Sequence, residues 1–351
     1  MKAFVFRRNH VDEDEKMATI RDIAAAAGVN VSTVSRALNG KKSVSEKKRR
    51  YIQEIAEKMG YRPNLSAQTL VGKASKTIGV IVPEITSSYF ASTINYMEQI
   101  LNAEDYTLLV GLDHYDCQKA ISCLQVFERH NVDGIFLIGA MYQNIDEALD
   151  AIQKSSQIPV VFIHSFFIHA RYDCVCINDV ISSDLIAQHV KDMGHKRVGY
   201  IGAELASRNR FSKLKESIQR HGLTLEDHHV KIGNEAYELC GYLQTAKLLQ
   251  EDNLPTALIT SYDYVAIGAM KMLQEKGFCV PQDFALIGYD NIREAEYLSC
   301  PLTTIALPVQ QMVSAGVEIM LDRIQKGFKR EVRHLLFAPD LIVRESSAIH
   351  L

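Results

Sequence analysis

The chain is 351 residues long, 47% hydrophobic and nearly neutral, with 39 basic against 42 acidic side chains. That is enough for a small head and a body of two domain-sized halves with buried cores. No apolar run reaches the ~18 residues that span a bilayer, and MKAFVFRRNH lacks the apolar stretch of a secretory signal. Seven cysteines without a CxxC pair argue against a disulfide framework and suit a reducing cytoplasm.

Residues 1–16 carry four basic and four acidic side chains and precede a second methionine, Met17. They read either as a disordered extension or as a misassigned start. From residue 17 to 62 the chain reads as a helix-turn-helix head. Thr19 can cap a first helix, with Asp22 three residues on completing a capping box. Ile20, Ile23 and Ala27 keep to one face, and Gly28 supplies the backbone freedom of the turn. Asn30 can cap a second helix, Val31 to Leu38, with Val34 and Leu38 inward. The other face shows Val31, Ser32, Thr33, Ser35, Arg36 and Asn39. These are mostly short hydrogen-bonding groups and one guanidinium, the chemistry that reads base edges and holds phosphates. Such a second helix enters the major groove.

Charge supports this reading. Residues 17–76 hold 12 basic and four acidic side chains, a surplus of eight positive charges in 60 residues. The 275 residues that follow hold 23 basic and 34 acidic ones. A basic head on an acidic body is the footprint of a phosphate-binding module.

The run TIRDIAAAAGVNVSTVSRALNG, followed by VSEKKRRYIQEIAEKMGYRPN and LSAQTL, resembles the head of LacI/GalR-type bacterial transcription regulators. The resemblance continues through IGVIVPEITSSYF, VDGIFLIG, INDV, GHKRVGYIG, ALITSYDYVAIGAM, FALIGYDN, PLTTI and DLIVRESS. It thus covers residues 17–347 with its landmarks in order.

Residues 63–76 join head to body. Pro63 can start a short helix over Asn64–Leu70, and a peptide that short is marginal in water. By its residues alone the piece is either that helix or a flexible linker. The resemblance implies a hinge helix that folds on DNA, with Asn64, Ala67 and Leu70 at the minor groove. Leu70 then acts as the apolar wedge that kinks the duplex.

In the body, residues 77–347, short apolar runs alternate with amphipathic segments. Expected strands are Thr77–Val82, Thr107–Gly111, Gly134–Ile138, Val160–His164, Val198–Ile201, Val230–Ile232, Ala257–Ile259 and Phe284–Gly288. Segments such as Phe90–Ala103, Ile181–Met193, Phe211–His221, Leu239–Gln250 and Val265–Lys276 read as helices. The alternation predicts an α/β body of two doubly wound parallel-sheet halves with about four to six strands each. The resemblance implies a periplasmic-binding-protein-like body, with crossovers between halves near residues 175–179, 303–308 and 335–340. Ligands of open sheets sit beyond the carboxyl ends of strands. Cys174 and Cys176 share a strand face and read as core cysteines rather than metal ligands; His228-His229 reads as a solvated turn.

For the effector cleft the resemblance implies Asp290, at the end of FALIGYD, as an acceptor for ligand hydroxyls. It also implies Arg210 as a forked donor. Two positions depart from the family pattern. Tyr262-Asp263 stands where Asn-Asp is common, and His164 where an Asp is frequent. Tyr262 either stacks on a sugar face or fills space. His164 either binds a ligand oxygen or sits as a satisfied core histidine, and Tyr89 and Phe90 either line the opposite wall or pack. No GxGxxG, GxxxxGK[ST] or GxSxG motif supports an enzyme.

The sequence therefore predicts a cytoplasmic, homodimeric DNA-binding regulator. It is most simply a repressor on a palindromic operator of double-stranded DNA, controlled by a small metabolite such as a sugar. No cofactor or membrane is involved. One helix-turn-helix buries too little surface for tight specific binding, so two-fold heads are expected. A regulator answering to a protein co-regulator, or an activator, would share these features.

Overall fold

Thr19 opens the first helix as the sequence anticipates. In α1 (Ile20–Ala27) the Thr19 N–H donates to Asp22 Oδ2 at 2.7 Å, and the Asp22 N–H returns to Thr19 Oγ1 at 3.3 Å. Gly28, at φ 64°, closes α1 in the left-handed conformation that a side chain would resist. Helix α2 (Val31–Leu38) and helix α3 (Glu46–Lys58) complete a three-helix unit around Ile23, Ala24, Val34, Ala37, Val44, Ile52 and Ala56. Leu38 is only partly buried at the edge of this core, and Ala37 takes the inner place beside Val34.

The structure is a computed structural model that describes residues 18–38, 43–61, 74–140, 142, 144–164, 168–327 and 331–348. It divides into two units, the first ending at Ser75 and the second beginning at Lys76. The expected extension over residues 1–16 and the hinge helix over Asn64–Leu70 lie outside the described residues.

The second unit opens with β1 (Thr77–Val82), α4 (Ser88–Ala103), β2 (Thr107–Leu112), α5 (Cys117–Arg129), β3 (Gly134–Ile138), α6 (Asp146–Ser156), β4 (Val160–Ile163) and β5 (Asp173–Ile177). It continues with α7 (Asp179–Asp192), β6 (Arg197–Ala203), α8 (Glu204–Arg220), β7 (Thr224–Gly233), α9 (Tyr237–Leu248), β8 (Ala257–Thr260), α10 (Asp263–Glu275), β9 (Ala285–Tyr289) and β10 (Thr303–Ala306). Helix α11 (Val309–Lys326), β11 (His334–Phe337) and β12 (Asp340–Ile342) end it.

Two six-stranded sheets result, in the orders β11-β5-β4-β3-β1-β2 and β12-β10-β9-β8-β6-β7. All pairings are parallel except β10 with β12. The chain passes between the sheets three times, over residues 177–179, 306–309 and 337–340, and α11 returns to pack on α4, β4 and β5 of the first half. Arg323 on α11 fastens this return: its Nε and Nη2 donate to the two oxygens of Asp173 at 2.7 Å each, both side chains buried. Cys174 and Cys176 are buried in the core of the first half, and all seven cysteines are free.

Two helices of the second half touch through glycines. An added Cβ at Gly241 on α9 would stand 1.9 Å from the Val265 carbonyl oxygen, and one at Gly268 on α10 the same 1.9 Å from the Glu238 oxygen. Strand β7 is longer than the expected Val230–Ile232 and is bulged. Its pairing with β6 passes from Val198–Leu225 to Tyr200–Val230, five residue steps on β7 against two on β6. His229 is consequently fully buried, so His228-His229 is not a solvated turn.

Candidate effector cleft and nucleic-acid interface

On the head, burying Val34 and Ala37 turns the rest of α2 outward. Val31 is 42% exposed, Ser32 and Arg36 are exposed, and Thr33 and Ser35 are half-buried. The Arg36 Nε donates to the Ser32 carbonyl at 3.0 Å and its Nη2 reaches the Ser32 hydroxyl at 3.4 Å, which lays the guanidinium along the helix face. Asn39, Asn64, Ala67 and Leu70 lie outside the described residues.

On the body, the strand ends converge on the space between the two sheets. His164 is the first residue past β4 and Asp290 the first past β9, with φ of 51° and 107°. Side chains rarely adopt such a backbone, and here it is held at two neighbouring strand ends, as strained residues at binding sites often are. The Asp290 N–H donates to the Ile305 carbonyl at 2.9 Å, which fixes the turn. Its Oδ1 is buried with no hydrogen-bond partner. Burial pushes the Asp290 carboxyl up to about 7, against the opposing pull of Arg210. His164 Nδ1 lies 2.5 Å from the buried Tyr89 hydroxyl. Burial, helped by the Arg210 charge, lowers His164 to about 4, so the ring is neutral.

Tyr89, Phe90, His164, Tyr262 and Asp290 line one void of only ≈ 20 Å³, together with Tyr115, Tyr237 and Tyr264. That holds about one water and is far below the roughly 300 Å³ of a small-ligand pocket. Tyr89 and Asp290 also line a second cavity of ≈ 570 Å³ with Ser92, Asn291 and Leu307, whereas bonds between the halves close the cleft around the small void. The Tyr237 hydroxyl donates to Glu84 Oε1 at 2.8 Å and lies 3.4 Å from the Tyr115 hydroxyl. The Ser88 N–H donates to the Tyr264 hydroxyl at 3.1 Å, and its Oγ to Glu294 Oε2 at 2.9 Å. Outside this latch a cavity of ≈ 330 Å³ opens, lined by Tyr115, Glu204, Asn234, Glu235, Tyr237 and Tyr262 among others.

One expected cleft residue stands elsewhere. Asp263 is fully buried inside the second half, accepting from Thr304 Oγ1 at 2.6 Å and from the Ile292 N–H at 2.8 Å. As the first residue of α10 it points behind the strand end and fastens the loop that follows Asp290. Arg210 and Asp290 line different voids. Arg210 stacks on Tyr289, its guanidinium carbon 3.5 Å from the ring centre, and its Nη1 donates to the Ser261 carbonyl at 3.0 Å. Its Nε is 3.5 Å from Asp179 Oδ1. Its guanidinium carbon also lies 5.7 Å from the centre of the Tyr262 ring, which lines the small void. The latch residues Glu84, Tyr115, Tyr237 and Tyr264 were not singled out from the sequence. Each follows the carboxyl end of a strand, and that position was the available signal.

Two segments of the chain match known families. Residues 19–64 match bacterial regulatory proteins of the lacI family, and residues 187–347 match the periplasmic binding protein-like domain. The ribose operon repressor of Haemophilus influenzae is 30% identical over 334 residues, spanning 94% of this chain and 98% of that protein. The chain belongs to the lacI family of bacterial regulatory proteins. Among solved structures, the lac repressor dimer bound to operator and the anti-inducer ONPF superposes with a TM-score of 0.83 at 22% identity, covering 95% of this chain and all of that one. A lacI-family regulator from Enterococcus faecalis with bound ribose has a TM-score of 0.68 at 27% identity over 78% of this chain and 98% of its own. As a member of this family the chain is a DNA-binding transcriptional repressor with a small-molecule effector. The α/β body and the helix-turn-helix head are those that the sequence predicts. Among the described residues no helix is long and apolar enough to cross a membrane.

Proposed function

We propose that the chain is a cytoplasmic homodimeric repressor without enzymatic activity, and that a sugar or sugar derivative binding between the two halves of its body controls it. The observation that carries the effector site is Asp290, a half-buried residue whose carboxylate has one buried, unpartnered oxygen at a strained strand end. A polyol hydroxyl donating to that oxygen supplies the missing bond. The aromatic rings of Tyr89, Phe90 and Tyr262 give a sugar face an apolar wall. His164, neutral, accepts or donates one further bond. Arg210 holds Tyr289 and the Ser261 carbonyl, so its effect on the effector is positional.

The ribose operon repressor and the ribose-bound relative support a sugar of this kind. An effector that reaches the small void by the outer cavity separates Tyr237 from Glu84 as it enters. On the head, Val31, Ser32 and Arg36 face base edges, while Thr33, Ser35 and Asn39 lie nearer phosphates. Asn64, Ala67 and Leu70 carry the hinge reading, with Leu70 as the wedge. Two heads on one dimer read two half-sites.

The test is selection of bound DNA sites from a random pool, followed by titration of a sugar panel against the selected duplex. A palindromic site released or tightened by one sugar supports the reading. A site with no inverted repeat overturns the dimer, and indifference to every sugar overturns the effector class.

A further inference from the structure

The bulge of β7 gathers three metal-ligating side chains on the free edge of the second sheet. Glu226, His228 and His229 each place a ligand atom within 4.8 Å of the other two. His228 Nε2 lies 3.2 Å from Glu226 Oε2. Two donors on a tetrahedral ion with bonds of about 2.0–2.1 Å stand roughly 3.3 Å apart, so this pair is already spaced for one. Successive residues of a regular strand point to opposite faces. The bulge brings the two imidazoles together instead, with ring centres 4.2 Å apart.

His229 is the second, independent observation. It is fully buried, and the Asp252 backbone engages at most one of its ring nitrogens, which leaves the other without a hydrogen-bond partner. A buried polar group without a partner is expensive and asks for an explanation. Glu226 is half-buried and His228 exposed, so an ion reaches the site from solvent.

We propose that Glu226, His228 and His229 form a binding site for a divalent transition ion of the Zn²⁺, Co²⁺ or Ni²⁺ type, with water in the remaining position. Two imidazoles and one carboxylate are donors for these ions; Mg²⁺ and Ca²⁺ want oxygen-only cages. The bound ion gives the second His229 ring nitrogen a partner. It also ties the bulge into one piece on an edge strand, whose unpaired groups otherwise invite association. The site is separate from the effector cleft and stands whether or not the sugar reading holds.

The experiment uses the full-length protein stripped with a chelator, and the variants Glu226→Gln and His228→Ala, both at positions that reach solvent. Zn²⁺ is titrated in competition with a chromophoric chelator, Co²⁺ is followed by its visible spectrum, and circular dichroism checks the fold. We expect one Zn²⁺ per chain with a Kd at or below about 10 µM, and weakening of at least about tenfold in each variant. The Co²⁺ spectrum should lack a thiolate charge-transfer band. Wild-type affinity retained in either folded variant, a Kd above that limit, or a thiolate band from the cysteines would overturn the proposal.

Discussion

Tyr237 and Glu84 meet across the cleft, the tyrosine hydroxyl of one half donating to the carboxylate of the other at 2.8 Å. Tyr237 lines both the ≈ 330 Å³ outer cavity and the inner void of ≈ 20 Å³. On the proposed reading, an effector that enters from this side breaks the bond. A ligand shifts the equilibrium between closed and open halves only by its differential affinity for the two.

Tyr237→Phe keeps the ring and removes the hydrogen bond. A bond to a carboxylate contributes about 1.5–3 kcal/mol, so the open fraction should rise roughly tenfold or more. Small-angle scattering of the ligand-free protein should show a larger radius of gyration, and effector association should be faster. An unchanged scattering profile would assign the closure to other contacts.

Asp290→Ala should lower effector affinity about ten- to a hundredfold, with operator affinity in the absence of effector unchanged. The wild-type carboxyl, raised to about 7 by burial, is largely protonated below that pH. An effector that needs the ionised form should bind about tenfold more weakly for each pH unit below 7, and should release a proton on binding there. Calorimetry in buffers of different ionisation enthalpy measures that proton, and a flat profile from pH 5.5 to 8 would remove Asp290 from the site.

His164 gives a stability signature of its own. Its proton affinity is depressed to about 4 in the fold, against about 6.5 unfolded, so the unfolded chain binds more protons between those values. The contribution of this group is full above pH 6.5 and is lost as pH falls toward 4. Because Asp290 is raised, its own term has the opposite slope between about 4 and 7. Replacing His164 with Gln should flatten the acid limb of a urea-denaturation profile taken against pH, and an identical acid limb would contradict the buried, neutral imidazole.

Arg36→Ala should cost about 1–3 kcal/mol on the cognate duplex and relax specificity at the base it reads. Losing the bond to the Ser32 carbonyl at 3.0 Å should change head stability little, since both groups are exposed. Equal weakening on cognate and random DNA would assign Arg36 to phosphate instead.

Gly268→Ala tests how closely the helices of the second half pack. The new methyl would meet the Glu238 carbonyl oxygen at 1.9 Å, which only backbone movement relieves. A loss of about 1–3 kcal/mol or more is expected in chemical denaturation. A neutral result would mean that α9 and α10 separate at little cost.

Local chemistry wrote much of the head into the sequence. The Thr19–Asp22 box, Gly28 in its left-handed turn and the inward Val34 each follow from one short window of residues. Fully buried strands such as β1 and β3 were legible for the same reason: TIGVIV and GIFLI are apolar runs bounded by turns, and a buried parallel strand needs nothing more. The edge strands β11 and β12, of four and three residues, were not separately legible, because short strands half-exposed at an edge carry no period of their own.

The cleft is where tertiary structure decided. Sequence position brought Asp290 and His164 to strand ends, but not the fate of their neighbours. Asp263 is drawn inward by Thr304 and Ile292, and Arg210 is held by Tyr289 and Ser261. Those partners lie 41, 29 and 51 residues away along the chain for three of the bonds, beyond the reach of any local pattern. The latch of Tyr237 on Glu84 spans 153 residues, and the bulge that brings His228 beside His229 lies where the pairing of β7 with β6 shifts register. Residue type and spacing thus determined which elements form and what chemistry they offer. Which side chains face one another, and which are used up inside the fold, was set by long-range pairing.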